Sequence, residues 1–161
     1  MIFDLLTIKD LYKRVSFYPH ESGILPFNQS QNGWEYVKKY EIAEGCYFEF
    51  KNDVLGENRF FTSLNWWDFP TSVTYALVHS MKITYRSNRD IYIEGRGYPD
   101  KYNAVYAKAS DTFRTVTVML NRTLNSAEYM DIWDGSRYDN SIGYPKAGDY
   151  LIIKKIELLT T

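Results

Sequence analysis

The chain has 161 residues, enough for one domain and hardly two. Its 19 Lys and Arg against 20 Asp and Glu leave a net charge of -1, so no global field draws it to nucleic acid or an anionic membrane. A single cysteine, Cys46, excludes an internal disulfide and a zinc ribbon, and two distant histidines, His20 and His79, argue against an all-protein transition-metal site.

The first ten residues, MIFDLLTIKD, are apolar but short and interrupted by Asp4. They lack a basic n-region and a cleavage site, so they do not read as a signal peptide. No stretch approaches the ~18 apolar residues of a membrane span. Thr7 and Asp10 resemble a capping box, and Ile8, Leu11, Tyr12 and Val15 recur at helical spacing. This spacing predicts a short helix over 8–15, followed by a strand near Val15–Tyr18. Residues 1–18 are thereby expected to be an N-terminal segment, a helix or attachment element, ahead of a β domain over 19–161. Pro19 to Gln31 reads as a loop from its Pro, Gly, Ser and Asn content.

From Trp34 onward the pattern is that of strands. WEYVKKY (34–40) mixes aromatic and β-branched residues with charges, and CYFEF (46–50) alternates Cys46, Phe48 and Phe50 against Tyr47 and Glu49. Further strands are expected at RFFTSL (59–64), ALVHSMKITYR (76–86), DIYIEG (90–95), AVYAKA (104–109), TFRTVTVML (112–120), YMDIW (129–133) and YLIIKKIELL (150–159). TVTV is strongly β by side-chain type, because branched Cβ atoms pack well on a pleated surface. Turn clusters separate these runs, among them AEG (43–45), SNRD (87–90), DGS (134–136) and DNSIGYPKAGD (139–149). Many short strands with polar turns predict an all-β fold, a sandwich or barrel, and imperfect alternation fits two antiparallel sheets with a wet outer face.

The segments AGDYLIIKKIELL (147–159), ASDTFRTVTVML (109–120) and NGWEYVKKYEIAEGCYFEFK (32–51) together resemble the strand starts of jelly-roll carbohydrate-binding modules. Similar modules occur in tail and baseplate proteins of phages of Gram-positive bacteria, where the closing strand is often rich in Lys and Ile, as in IIKKIEL here. The resemblance implies a jelly-roll β-sandwich, a saccharide ligand, and a virion protein made in the cytoplasm. Many such modules place an Asp of the closing strand at a structural calcium; here Lys154 or Lys155 takes that place, so no cofactor is expected and a structural calcium is in doubt.

Aromatic residues make up 17% of the chain, including 15 Tyr and 4 Trp, more than a core requires. A sugar is held by an exposed ring that stacks on its C–H face and by polar side chains that bond its hydroxyls. Two segments combine the two: Asn65-Trp66-Trp67-Asp68 and the run Asp131 to Asn140. Trp133, Asp134, Arg137 and Tyr138 are the leading candidates, followed by Trp66 and Trp67, with Tyr98 and Tyr144 along the same rim. Asp134 and Arg137 would orient the sugar. The plainer alternative sends one of Trp66 and Trp67 inward by strand alternation and places Trp133 in the core, with Asp134-Gly135 as a hairpin turn.

No nucleophile elbow, P-loop, dinucleotide fingerprint or zinc-protease pattern is present, and no catalytic or metal-binding residue is assigned. The closest acid pairs, Glu41/Glu44 and Asp131/Asp134, read as solvated; Cys46 reads as a buried thiol and His79 as a core histidine. Arg86, Arg89, Arg96 and Lys101 lie near Tyr85, Tyr92 and Tyr98, but Asp90, Glu94 and Asp100 are interleaved, so a solvated sheet face is preferred to a nucleic-acid surface. The expected partners are a cell-surface saccharide and other virion proteins, with a homo-oligomer as an option and neither nucleic acid nor membrane. A structural virion protein and a jelly-roll polysaccharide-active enzyme are the alternatives.

Overall fold

The computed structural model describes residues 12–19, 25–27, 36–56, 59–65, 76–96, 101–123 and 129–161. Among them the chain forms ten strands: β1 Lys13–Tyr18, β2 Val37–Ile42, β3 Gly45–Phe50, β4 Phe60–Asn65, β5 Leu77–Ser87, β6 Ile91–Arg96, β7 Lys101–Ala107, β8 Ser110–Thr123, β9 Tyr129–Asp134 and β10 Tyr150–Thr160. Two 3₁₀ turns, Gly135–Arg137 and Asn140–Ile142, lie between β9 and β10. Every pairing is antiparallel. The larger sheet runs β2-β3-β10-β5-β8, with β1 also paired to β10, and the smaller runs β4-β9-β6-β7. The nine strands read from Trp34 onward fall where expected, within a few residues at their ends.

β10 organises the larger sheet. One edge pairs with β5, and the other is divided: Tyr150–Ile153 pair with β3, while Ile156–Thr160 pair with β1. The run IIKKIEL explains how one strand serves both halves. The register slips between Ile153 and Lys155, so Lys154 is an extra residue. Leu151 and Ile153 face the core before it, and Ile156, Leu158 and Thr160 face the core after it. Strict alternation would instead carry Lys155 and Glu157 inward, and the bulge corrects the parity. Gly45 packs against this bulge: a Cβ there would lie 2.2 Å from the Ile153 carbonyl oxygen, and its φ is +144°. Only glycine meets both conditions.

The helix expected over 8–15 is corrected where the structure describes it. Lys13, Arg14 and Val15 belong to β1 and pair with Thr160, Leu159 and Leu158. A helix of eight residues is marginal alone, and the free edge of β10 offers pairing that outweighs a weak helical spacing. Residues 13–18 are therefore a strand of the sandwich, with Phe17 fully buried, while residues 1–11 lie outside the described set.

The core lies between the sheets. Phe17, Phe48, Phe50, Met81, Ile83, Ile153 and Leu158 come from the larger sheet, and Phe61, Leu64, Ile91, Ile93, Met130 and Ile132 from the smaller. Phe50 and Phe61 meet across the interface at 4.8 Å between ring centroids. Cys46 is buried here, and burial pushes its thiol up to about 12, with Glu41 adding to the shift and Lys39 opposing it.

Candidate functional site

Register across the smaller sheet aligns aromatic residues on its outer face. Phe60 pairs with Trp133, Trp133 with Tyr92, and Tyr92 with Tyr106. Their neighbours Ile91, Ile93 and Ile132 point to the core, so alternation turns this row away from it. With strands ~4.8 Å apart, a row across four strands is about 14 Å long. The next row on the same face is polar: Ser63 opposes Asp131, and Asp131 opposes Glu94. Both acids are nearly buried, and the Ser63 hydroxyl donates to Asp131 Oδ1 at 2.5 Å.

The loop after β9 adds a second tier. Asp134 is fully buried, accepts from Arg89 Nε at 2.8 Å and from the Ser136 hydroxyl, and so fixes the first 3₁₀ turn. Burial raises its carboxyl above the ordinary range against the opposing pull of Ser136 and Arg89. Arg89 also bonds Asp149 at 3.1 Å, which anchors the far end of the loop. Gly135 fits where nothing larger does: its N–H donates to the Asp90 carbonyl at 2.7 Å, and a Cβ would lie 2.7 Å from that of Asp90.

Held this way, the loop lays Arg137 over the Trp133 ring at 4.5 Å and Tyr138 beside both Tyr92 and Tyr106, at 5.4 and 5.1 Å. Arg137 also reaches Glu94 at 3.9 Å. Tyr138 is 65% exposed. Asp90 fixes Tyr106 by accepting from its hydroxyl and fixes the start of β8 by accepting from the Ala109 N–H at 2.7 Å. Burial pulls the Asp90 carboxyl up, but Tyr106, Ala109 and Lys108 together hold it below the ordinary range. Arg59 bonds the Ser136 carbonyl at 2.9 Å and lies 4.8 Å from the Tyr144 ring, which is 46% exposed.

The candidates from the sequence divide accordingly. Tyr138, Tyr144 and half-buried Arg137 border the outer face. Trp133 is only 8% exposed, its ring covered by Arg137 and edged by Phe60 at 5.2 Å, so it supports the face and is not an open platform. Asp134 holds an internal ion pair and does not point at solvent, because Arg89 needs its charge. Trp66, Trp67 and Tyr98 lie outside the described residues. Sequence reasoning missed Phe60, Tyr92 and Tyr106 as one row; the alternation of Ile91, Tyr92 and Ile93 showed the face of Tyr92, but only register shows its neighbours.

The acid pairs noted in the sequence do not act together. Glu44 is bridged to Arg86 at 3.3 Å, and Asp131 lies on the outer face while Asp134 is held by Arg89. Two of the basic residues weighed for nucleic acid, Arg86 and Arg89, are thus spent on carboxylates. Among the described residues no group of three or more His, Cys, Asp and Glu is placed to hold a metal ion. No described helix is long and apolar enough to cross a membrane.

No family profile matches the chain, and no curated protein matches it. Solved structures do. A variant of a family 29 carbohydrate-binding module aligns with TM-score 0.59 at 12% identity, over 92% of this chain and 92% of that one. A variant of such a module complexed with cellulohexaose aligns with TM-score 0.59 at 12% identity, over 92% of this chain and 91% of that one. A family 29 module from Piromyces equi aligns with TM-score 0.55 at 12% identity, over 93% and 91%. The chain thus has the two-sheet antiparallel β-sandwich fold of these modules.

Proposed function

We propose that this protein is a non-catalytic carbohydrate-binding module whose ligand lies on the outer face of the β4-β9-β6-β7 sheet. The observation that carries the reading is the row Phe60, Trp133, Tyr92 and Tyr106, in register across four strands and topped by exposed Tyr138. Tyr138, Tyr92 and Tyr106 supply ring area for stacking on sugar C–H faces. Arg137 donates to hydroxyls, while the nearly buried Glu94 and Asp131 of the adjacent row hold Arg137 and Ser63 in place. Trp133 and Asp134 hold this surface in shape. Tyr144 extends the rim, and the binding needs no cofactor. The fold shared with family 29 modules, one of them complexed with cellulohexaose, supports the choice of ligand class.

The Lys- and Ile-rich closing strand supports a finer reading, a tail or baseplate accessory domain of a phage that adsorbs to host cell-wall polysaccharide. Each site would be weak, and many copies on one particle would supply the avidity. The test is retention of the purified chain on insoluble cellulose and on cell walls of Gram-positive bacteria. Retention that falls at least tenfold in the Tyr92→Ala/Tyr138→Ala double variant, at unchanged melting temperature, supports the reading; no retention on either material overturns it.

A second reading, a polysaccharide hydrolase, draws on Glu94 and Asp131 standing directly opposite across β6 and β9. Release of reducing ends that Glu94→Gln abolishes would replace the binding reading with this one.

A further inference from the structure

The opposite sheet carries a recess at the end of the sandwich where the chain leaves β5 for β6. It is a cleft of about 280 Å³ lined by Asn88, Ser110, Asp111, Arg114 and Tyr150, with Ser87 beneath. Its origin is a defect in pairing. Between the pairs Tyr85–Arg114 and Ser87–Ser110, β5 spends one residue, Arg86, and β8 spends three, Asp111, Thr112 and Phe113. The two extra residues make a bulge in β8. One hydroxyl pins the swelling: Ser110 Oγ donates to the Thr112 carbonyl at 2.7 Å and accepts from the Thr112 N–H at 3.2 Å. Bulges of this kind re-aim side chains beside binding sites.

The lining is fixed on one side and unspent on the other. Asn88 Oδ1 accepts from the Tyr150 N–H at 2.7 Å, and Ser87 Oγ donates to the Tyr150 carbonyl at 2.7 Å, so the start of β10 is tied down. The Tyr150 ring stacks on Tyr47, planes 13° apart and centroids 5.6 Å apart. Tyr150 is itself part of the lining. Asp111 and Arg114, three residues apart on the bulge, make no salt bridge and no side-chain hydrogen bond among the described residues.

We propose that this cleft is a second saccharide site, taking one or two units of an uncharged hexose chain. A carboxylate and a guanidinium of equal and opposite charge suit a ligand that both donates and accepts at adjacent groups, as vicinal hydroxyls do, and give no net attraction to an anion. Tyr150, in the lining, supplies the apolar contact. The volume sits near the lower end of the ~300–1,000 Å³ of small-molecule sites, which fits a short stretch of chain. Two sites on opposite faces of one domain let it bridge two strands of a polysaccharide or bind one with avidity. The ligand class rests on the reading above; the residues do not.

Backbone amide shifts of the intact chain, followed by NMR during titration with cellohexaose, mannohexaose and chitohexaose, separate the two. Saturable shifts at Asn88, Asp111, Arg114 and Tyr150, weakened at least tenfold by Arg114→Ala and by Asp111→Ala with the remaining spectrum unchanged, support the cleft. Shifts confined to Tyr92, Arg137 and Tyr138 overturn the cleft and leave the outer face of the smaller sheet standing. Shifts confined to the cleft support it and remove the other face. Silence at both with all three probes overturns both, as does a cleft response that neither variant alters for the cleft alone.

Discussion

Arg89 reaches Asp134 with two donors, Nε and Nη2, each 2.8 Å from the same carboxylate oxygen. Arg89 sits in the turn between β5 and β6, where the chain crosses from one sheet to the other, and Asp134 ends β9. The pair ties that crossing to the loop that carries Arg137 and Tyr138. Asp134→Ala leaves the guanidinium, itself 13% exposed, without its buried partner. Asp149 still pairs with Arg89, so the cost is expected to be about 2–3 kcal/mol, below the ~3–5 kcal/mol of a buried charge left with no partner. Urea unfolding of Asp134→Ala measures it, and a change below about 1 kcal/mol would deny the clamp its role.

Trp133 and Tyr138 are neighbours on one surface with opposite burdens. Trp133→Ala removes a buried indole, a change that costs about 3–5 kcal/mol of stability. Tyr138→Ala removes a ring that is 65% exposed, so its melting temperature stays within a degree or two of the parent while saccharide retention drops. Paired thermal melts and retention assays on the two variants check the contrast; equal stabilities would mean that Trp133 is not the support of this face.

Asp90 makes stability depend on acid. Its folded pKa is held below the unfolded value of 3.8 by Tyr106, Ala109 and Lys108 acting against burial. The unfolded chain therefore takes up the proton first as pH falls, and the stabilisation present above pH ~4 is lost on descent through the folded pKa. Asp90→Asn has no such carboxylate. Its deficit relative to the parent is expected to be largest near pH 6 and to shrink below pH ~4, read from urea midpoints across that range. A deficit that stays constant with pH would contradict the assignment.

Cys46 is fully buried and its thiol is raised to about 12. The thiolate that reacts is scarce and shielded near neutral pH. Labelling by an aromatic disulfide reagent at pH 8 is expected to be negligible in buffer and complete in denaturing urea. Stoichiometric labelling of the folded protein would place the thiol at the surface.

Much of the architecture was legible in the residue order because strand alternation is a local property. The CYFEF run already separates Cys46, Phe48 and Phe50 from Tyr47 and Glu49, and the structure buries the first three completely. Val15 went the other way: its spacing with Ile8, Leu11 and Tyr12 matched a helix, but the free half of β10's edge lies some 140 residues away and no local pattern reports it. The candidate surface was read in part. Of the run Asp131 to Asn140, the structure lays Arg137 and Tyr138 over the outer face of the smaller sheet. Asp134 looked like a ligand group because a carboxylate in a Gly-containing turn is normally wet, and its partner Arg89 stands 45 positions earlier.

Side-chain chemistry and periodicity by themselves determined that the protein is all-β, a sandwich or a barrel, where nine of its strands lie, and that it carries more aromatic rings than a core requires. Tertiary structure alone decided which rings stand together. A period of two assigns each side chain to a face but is silent on its cross-strand neighbour, which depends on register, on the extra residue at Lys154 and on the swelling of β8. Those are set by contacts between residues far apart in the chain, where the free energy of pairing and burial, not local preference, makes the choice.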